Sequence, residues 1–202
     1  MKKFYVLIIF LSAMASGTMA QSKVNITQLM QKAEAGNAKA QYQLANAYDK
    51  GKDITKNETE ANKWFFKAAE NGNAEAQCRV GWCYETGSGV TKDLTQALEW
   101  YKKAAKQGQS YAQYNIGLCY DFGKGVEQNH EEAVKWYVKA AKKGNAYALC
   151  NLGNCYYNGE GVKSDMKKAK KYWTKAAKKG NKDAQHFLMQ FFEINTYATM
   201  LE

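Results

Sequence analysis

The chain has 202 residues, 46% of them hydrophobic, with a net charge of +10 and no proline. Its apolar run from Phe4 to Leu11 is 8 residues long, too short for a membrane-spanning helix, which needs about 20. The positive charge is uneven, with nine lysines and one acid between Lys163 and Lys182. Charge of this kind bears on association rather than on fold.

In chain order, Lys2-Lys3, the apolar run and the small residues ending in Thr18-Met19-Ala20 form the three-part pattern of a secretory signal peptide over 1–20. Cleavage is expected after Ala20. An exported chain argues against nucleic acid as a partner, and no integral membrane segment is expected after cleavage. Residues 21–36 hold a lone capping helix, Ile26 to Ala35. A 36-residue period then governs 37–180. Gly36, Gly72, Gly108, Gly144 and Gly180 keep this step, as do Ala40, Ala76, Ala112, Ala148 and Ala184, and Tyr48, Tyr84, Tyr120 and Tyr156. A fixed period in this range marks a stacked repeat architecture. The repeat limits are 37–72, 73–108, 109–144 and 145–180, and 181–202 holds a closing helix and tail.

Within the type repeat, Ala76, Val80, Cys83 and Tyr84 share one face of a first helix at helical spacing. Gly81, Gly117 and Gly153, with Ala45 in the first repeat, leave room for close approach of a second helix. The segment from Thr86 to Thr91 makes the turn. Asn57, Asp93, Asn129 and Asp165 are N-caps, and Glu60, Gln96 and Glu132 complete capping boxes in three repeats. Lys168 breaks the box in the fourth. The second helix runs from Leu94 to Lys106. It buries Ala97, Leu98, Tyr101 and Ala104, keeps Trp100 at the flank and turns Lys102, Lys103 and Lys106 to water. Gly108 ends it. Phe187, Leu188, Phe191 and Phe192 would close the last exposed core, as terminal repeats of solenoids do. The fold class expected is all-α, a superhelical solenoid of antiparallel helix pairs.

Ala-Glu-Ala-Gln-Cys-Arg-Val-Gly at 74–81, Tyr-Ala-Gln-Tyr-Asn-Ile-Gly at 111–117, the Gly-x-Gly-Val turns at 87–90, 123–126 and 159–162, and Trp-Tyr-x-Lys-Ala-Ala at 100–105 and 136–141 resemble the Sel1-like repeat. The first repeat departs from the pattern, with Asp53 at the second turn glycine and Ile54 at the valine. The resemblance implies an α/α solenoid adaptor, often exported in bacteria. It also points to a cysteine-rich subgroup associated with penicillin binding and weak β-lactamase activity, whose disulfides join the two helices of each repeat. This chain differs, because Cys78, Cys83, Cys119, Cys150 and Cys155 all lie on first helices. Two cysteines five apart on one helix point about 140° apart. Cys83, Cys119 and Cys155 therefore read as small buried hydrophobes, and a periodic disulfide set is not expected.

Three rows of first-helix positions lie off the buried stripe. The first is Tyr42, Cys78, Tyr114, Cys150 and His186, with the two tyrosines expected to pack between repeats. From the other two, Arg79, Trp82, Asn115, Leu118, Asn151 and Asn154 are the candidate partner-binding residues on an expected concave face. Amides can satisfy the backbone of an extended peptide, and a tryptophan offers the flat apolar area where binding energy concentrates. The reading is a scaffold for a protein or peptide, without catalytic residues, metal or cofactor. Two alternatives stand beside it: weak β-lactamase or penicillin-binding activity, and binding of a cell-wall glycan through tyrosines and the basic C-terminal half. Ser164-Asp165-Met166-Lys167 fits Ser-x-x-Lys, but it falls where a second helix begins. His130 and His186 show no metal-ligand spacing.

Overall fold

The computed structural model describes residues 25–193, and the signal peptide expected over 1–20 and the tail from Asn195 to Glu202 lie outside them. Among the described residues all regular structure is helical: α1 (25–34), α2 (Ala38–Lys50), α3 (Glu58–Glu70), α4 (Ala74–Thr86), α5 (Leu94–Lys106), α6 (Ser110–Phe122), α7 (His130–Lys142), α8 (Ala146–Asn158), α9 (Met166–Ala177) and α10 (Lys182–Phe192). Two compact units divide between Gln77 and Cys78, inside α4.

Each second helix starts at the cap the sequence indicates. The side chains of Asn57, Asp93, Asn129 and Asp165 accept from the backbone N–H three residues on. The turn before them is pinned by a recurring bond. The amides of Asn57, Asp93, Asn129 and Asp165 donate to the carbonyls of Tyr48, Tyr84, Tyr120 and Tyr156 at 2.8–3.0 Å. This bond gives the periodic tyrosine a backbone role besides its packing. The turn starts one residue later than the sequence suggests, since Thr86 closes α4 and Gly87 follows in the left-handed region. The first helices have caps too: Asn37, Asn73, Gln109, Asn145 and Asn181 accept from the third residue beyond.

In the first unit, Ala33, Ala40, Leu44, Ala45, Ala61, Trp64 and Phe65 form the core. Gln41, itself buried, donates to the Ala33 carbonyl at 2.9 Å and accepts from Asn71 at 2.8 Å. Gln77 makes the same bond to Ala69, and in the second unit Gln113 makes it to Ala105. A helix end has carbonyls without intrahelical partners, and a repeat-to-repeat glutamine answers one of them.

In the second unit α5 packs on α6, α6 on α7, α7 on α8, α8 on α9, and α9 on α10. The small first-helix residues set the approach. A methyl placed on Gly81 would lie 2.6 Å from the Tyr101 ring, and one on Gly117 would lie 2.5 Å from Tyr137. On Gly153 it would collide with Trp173. Tyr101, Tyr137 and Trp173 are accordingly buried. On the outer flank, Lys103 lies 3.7 Å over Trp100 and Lys139 lies 3.7 Å over Trp136. These lysines shield the indoles while their charged ends stay in water. At the end of the unit Leu188 is buried, and Phe187, Phe191 and Phe192 pack against the Trp173 cluster, covering the last repeat as expected.

Candidate functional site

The six sequence candidates all lie in the second unit, and the structure separates them into different settings. Arg79 and Trp82, one turn apart on α4, stack with the guanidinium carbon 4.4 Å from the ring centroid. Trp82 is 39% exposed. Asn115 points its amide at Cys78 Sγ, 3.9 Å away. Leu118 packs against the cluster built on Tyr137 and Leu152. Asn154 Oδ1 accepts from Trp173 Nε1 at 2.9 Å. Asn151 lies beside the Tyr114 and Tyr137 hydroxyls. Tyr42 and Tyr114 themselves pack, with ring centroids 5.8 Å from Phe65 and 5.9 Å from Tyr137. Of the first row, Cys150 is buried, Tyr42, Cys78 and Tyr114 are partly buried, and His186 is exposed.

Asn151 and Asn154 meet in a cleft of about 410 Å³, together with Asp121, His130, Cys155 and Glu160. No lysine or arginine lines it. Its most ordered feature was not legible in the sequence. Asp121 Oδ1 lies 2.7 Å from His130 Nδ1, and Oδ2 accepts from Tyr137 Oη at 2.9 Å. One repeat earlier Glu85 accepts from Tyr101 at 2.8 Å and pairs with Lys124 at 2.7 Å. The signal available was an acid at 85 and 121 followed sixteen residues later by a tyrosine. The fourth repeat has Tyr157 and Trp173 at those positions, and the indole turns to Asn154 instead. Burial first, then the adjacent carboxylate, pushes the Tyr101 and Tyr137 hydroxyls well above the usual phenol range. They stay protonated and act as donors.

An aspartate-oriented histidine beside a cysteine has the residue types of a nucleophilic site. The thiol does not suit that use. Cys155 is 3% exposed, and burial, followed by Asp121 and Glu160, pushes it up to about 12. A nucleophilic cysteine needs a thiolate in an electropositive setting. Burial likewise raises Cys119 and Cys150 to about 12, and all five cysteines carry thiols rather than disulfides. Ser164 donates to the Tyr157 carbonyl at 3.0 Å while Asp165 caps α9, so Ser-x-x-Lys here is a helix start. Among the described residues no group of three or more His, Cys, Asp or Glu is placed to hold a metal ion. Among the same residues no helix is long and apolar enough to cross a membrane.

The Sel1-repeat family profile matches residues 38–73, 74–109, 110–145 and 146–181. The chain is a Sel1-repeat protein. Over 49 residues it is 49% identical to the secretory immunoglobulin A-binding protein EsiB of Escherichia coli O6:H1, which is 24% of this chain and 10% of that one. The crystal structure of c5321, a protective antigen of uropathogenic Escherichia coli, superposes with a TM-score of 0.75 at 40% identity, over 84% of this chain and 37% of that one. A Sel1-repeat protein from Oxalobacter formigenes gives 0.77 at 38% identity, over 82% and 66%. The chain thus spans a tenth of the curated relative and under two thirds of either structural one. Sel1-repeat proteins are in general protein-interaction scaffolds, and the family is generally non-enzymatic.

Proposed function

We propose that this Sel1-repeat protein is an exported scaffold that binds a protein or peptide through the face of its first helices. Arg79, Trp82, Asn115, Leu118, Asn151 and Asn154 are the residues to which we assign that face. The observation that carries the reading is Trp82, a large ring 39% exposed under the Arg79 guanidinium. An exposed indole with a stacked cation is a desolvation site of the kind interfaces use as anchors. The amide cleft at Asn151 and Asn154 adds hydrogen-bonding capacity on the same helix set. Export rests on the signal-like pattern of residues 1–20. The weak hydrolase alternative gains nothing from the buried thiol and the capped Ser164 turn.

EsiB is described as binding secretory immunoglobulin A, which makes that protein the first partner to test. Wild type and a Trp82→Ala/Asn151→Ala variant would be immobilised and exposed to secretory immunoglobulin A and to cross-linked envelope extract. A partner held by wild type and lost with the variant, at unchanged helicity, is the expected result. Equal capture by both would remove the first-helix face from the function.

A further inference from the structure

A second surface lies at the other end of the first helices, where each second helix hands over to the next repeat. Tyr111 and Tyr147 are the second residues of α6 and α8, one 36-residue step apart. They are 54% and 50% exposed, with ring centroids 6.4 Å apart. Lysines alternate with them. Lys143 Nζ sits 3.7 Å from where a methyl on Gly108 would be, and Lys179 Nζ sits 3.1 Å from the same point on Gly144. Each lysine therefore reaches across the turn of the preceding repeat. A cavity of about 410 Å³ opens along this edge, lined by Tyr111, Tyr147, Lys179, Lys182 and Asp183.

We infer that this edge is a binding site for a linear anionic polysaccharide, with saccharide rings stacked on Tyr111 and Tyr147 and their acidic groups held by Lys143, Lys179 and Lys182. The negative face of an aromatic ring attracts the polarised C–H face of a sugar, as it attracts other positive edges. The ammonium groups are compact point charges on flexible stems, suited to carboxylates whose positions repeat loosely along a polymer. An acidic peptide fits less well. Its backbone needs donors and acceptors, and the side-chain oxygens of Gln109, Asn145 and Asn181 at these helix starts accept in capping, while the Asn145 amide donates to Ser110 and both asparagines are buried. Asp183 is the one acid on the cavity wall and would face a hydroxyl rather than an acidic group. The inference is independent of the first-helix-face reading.

The test is calorimetric titration of the purified protein with an oligogalacturonate, a neutral dextran oligosaccharide and a poly-glutamate of matched charge, at low and at physiological salt. Oligogalacturonate should bind, more weakly at higher salt because exposed charges are screened, and dextran should not. Tyr111→Ala/Tyr147→Ala should weaken oligogalacturonate binding about tenfold and leave poly-glutamate unaffected. Lys179→Gln/Lys182→Gln should weaken it and flatten the salt dependence. The tyrosines are exposed, so a far-ultraviolet spectrum equal to wild type keeps the comparison clean. Absence of oligogalacturonate binding overturns the proposal. So does poly-glutamate binding at equal strength with indifference to the tyrosine pair, which would reduce the edge to unspecific charge attraction.

Discussion

One missing carbon decides how the helices of a repeat approach. At Gly117 a methyl would stand 2.5 Å from the Tyr137 ring, and that ring is fully buried with its hydroxyl held by Asp121. Gly117→Ala would gain up to about 1 kcal/mol in helix propensity, but overpacking a locked site costs about 1–3 kcal/mol. The variant should therefore lower the urea midpoint. Tyr137→Phe should also destabilise, by about 1–3 kcal/mol, because it leaves a half-buried Asp121 oxygen without its donor. Gly125 is constrained differently. Its φ is +69°, and a side chain there would strike the backbone of Leu94 and Thr95 at the start of α5. Asp53 holds the equivalent place in the first repeat at φ 63°.

The buried acids of this scale give a pH signature. Cys119, Cys150 and Cys155 are raised by burial to about 12, while unfolded thiols ionise near about 8.5. Above that lower value the unfolded chain loses protons that the folded chain keeps, so stability falls as pH rises. Each such group contributes a slope of about 1.4 kcal/mol per pH unit between the two values. Urea midpoints measured from about pH 8 to about pH 10.5 should decline steadily, and Cys119→Ala/Cys155→Ala should make the decline shallower. A flat profile in wild type would contradict the burial of these thiols.

At the scale of elements, caps differ in what they join. Asn57 caps α3 from an exposed position and touches only its own helix start in doing so. Asn145 is buried, caps α8 and also donates to the Ser110 carbonyl at 3.4 Å, thirty-five residues back. An exposed cap is worth about 1 kcal/mol, and loss of the partly buried Asn145–Ser110 hydrogen bond adds about 1 kcal/mol more. Asn145→Ala should thus cost roughly twice Asn57→Ala. Equal losses in matched chemical denaturation would show that Asn145 acts as a cap alone. The second-helix caps were legible because a cap is a local rule, an oxygen three residues ahead of an N–H. The reciprocal half of the three expected boxes is not made: the cap amides of Asn57, Asp93 and Asn129 donate to the tyrosine carbonyls instead, and Glu60 and Glu132 pair with Lys63 and Lys135. The first-helix caps obey the same rule but follow directly on a glycine, whose turn signal is the stronger one along the chain.

For the molecule as a whole, the order of stacking makes the ends unequal. Leu188 and the phenylalanines of α10 cover Trp173, Leu149 and Cys150. A chain ended at residue 181 would expose that cluster, and in a solenoid each repeat depends on its neighbour for burial. Such a truncation should lose hydrogen-exchange protection first in α8 and α9, before α6. Uniform loss along the unit would show that it unfolds in one step.

The period of 36 was enough to establish repeated helix pairs, their small-against-large packing and the closing helix. Helix periodicity, caps and glycine turns are local physics, and four copies in register multiply weak signals. What a helical wheel could not contain is the rotation of one helix against the next. That rotation brought Asn154 to Trp173, Leu118 to the Tyr137 cluster and Asp121 to His130. It also left Trp82 in solvent and set Tyr111 beside Tyr147. Spacing along the chain thus determined which residues form helices and which face of each is apolar. Only tertiary contact between residues from eight to thirty-nine apart decided which polar and aromatic side chains remain for a partner.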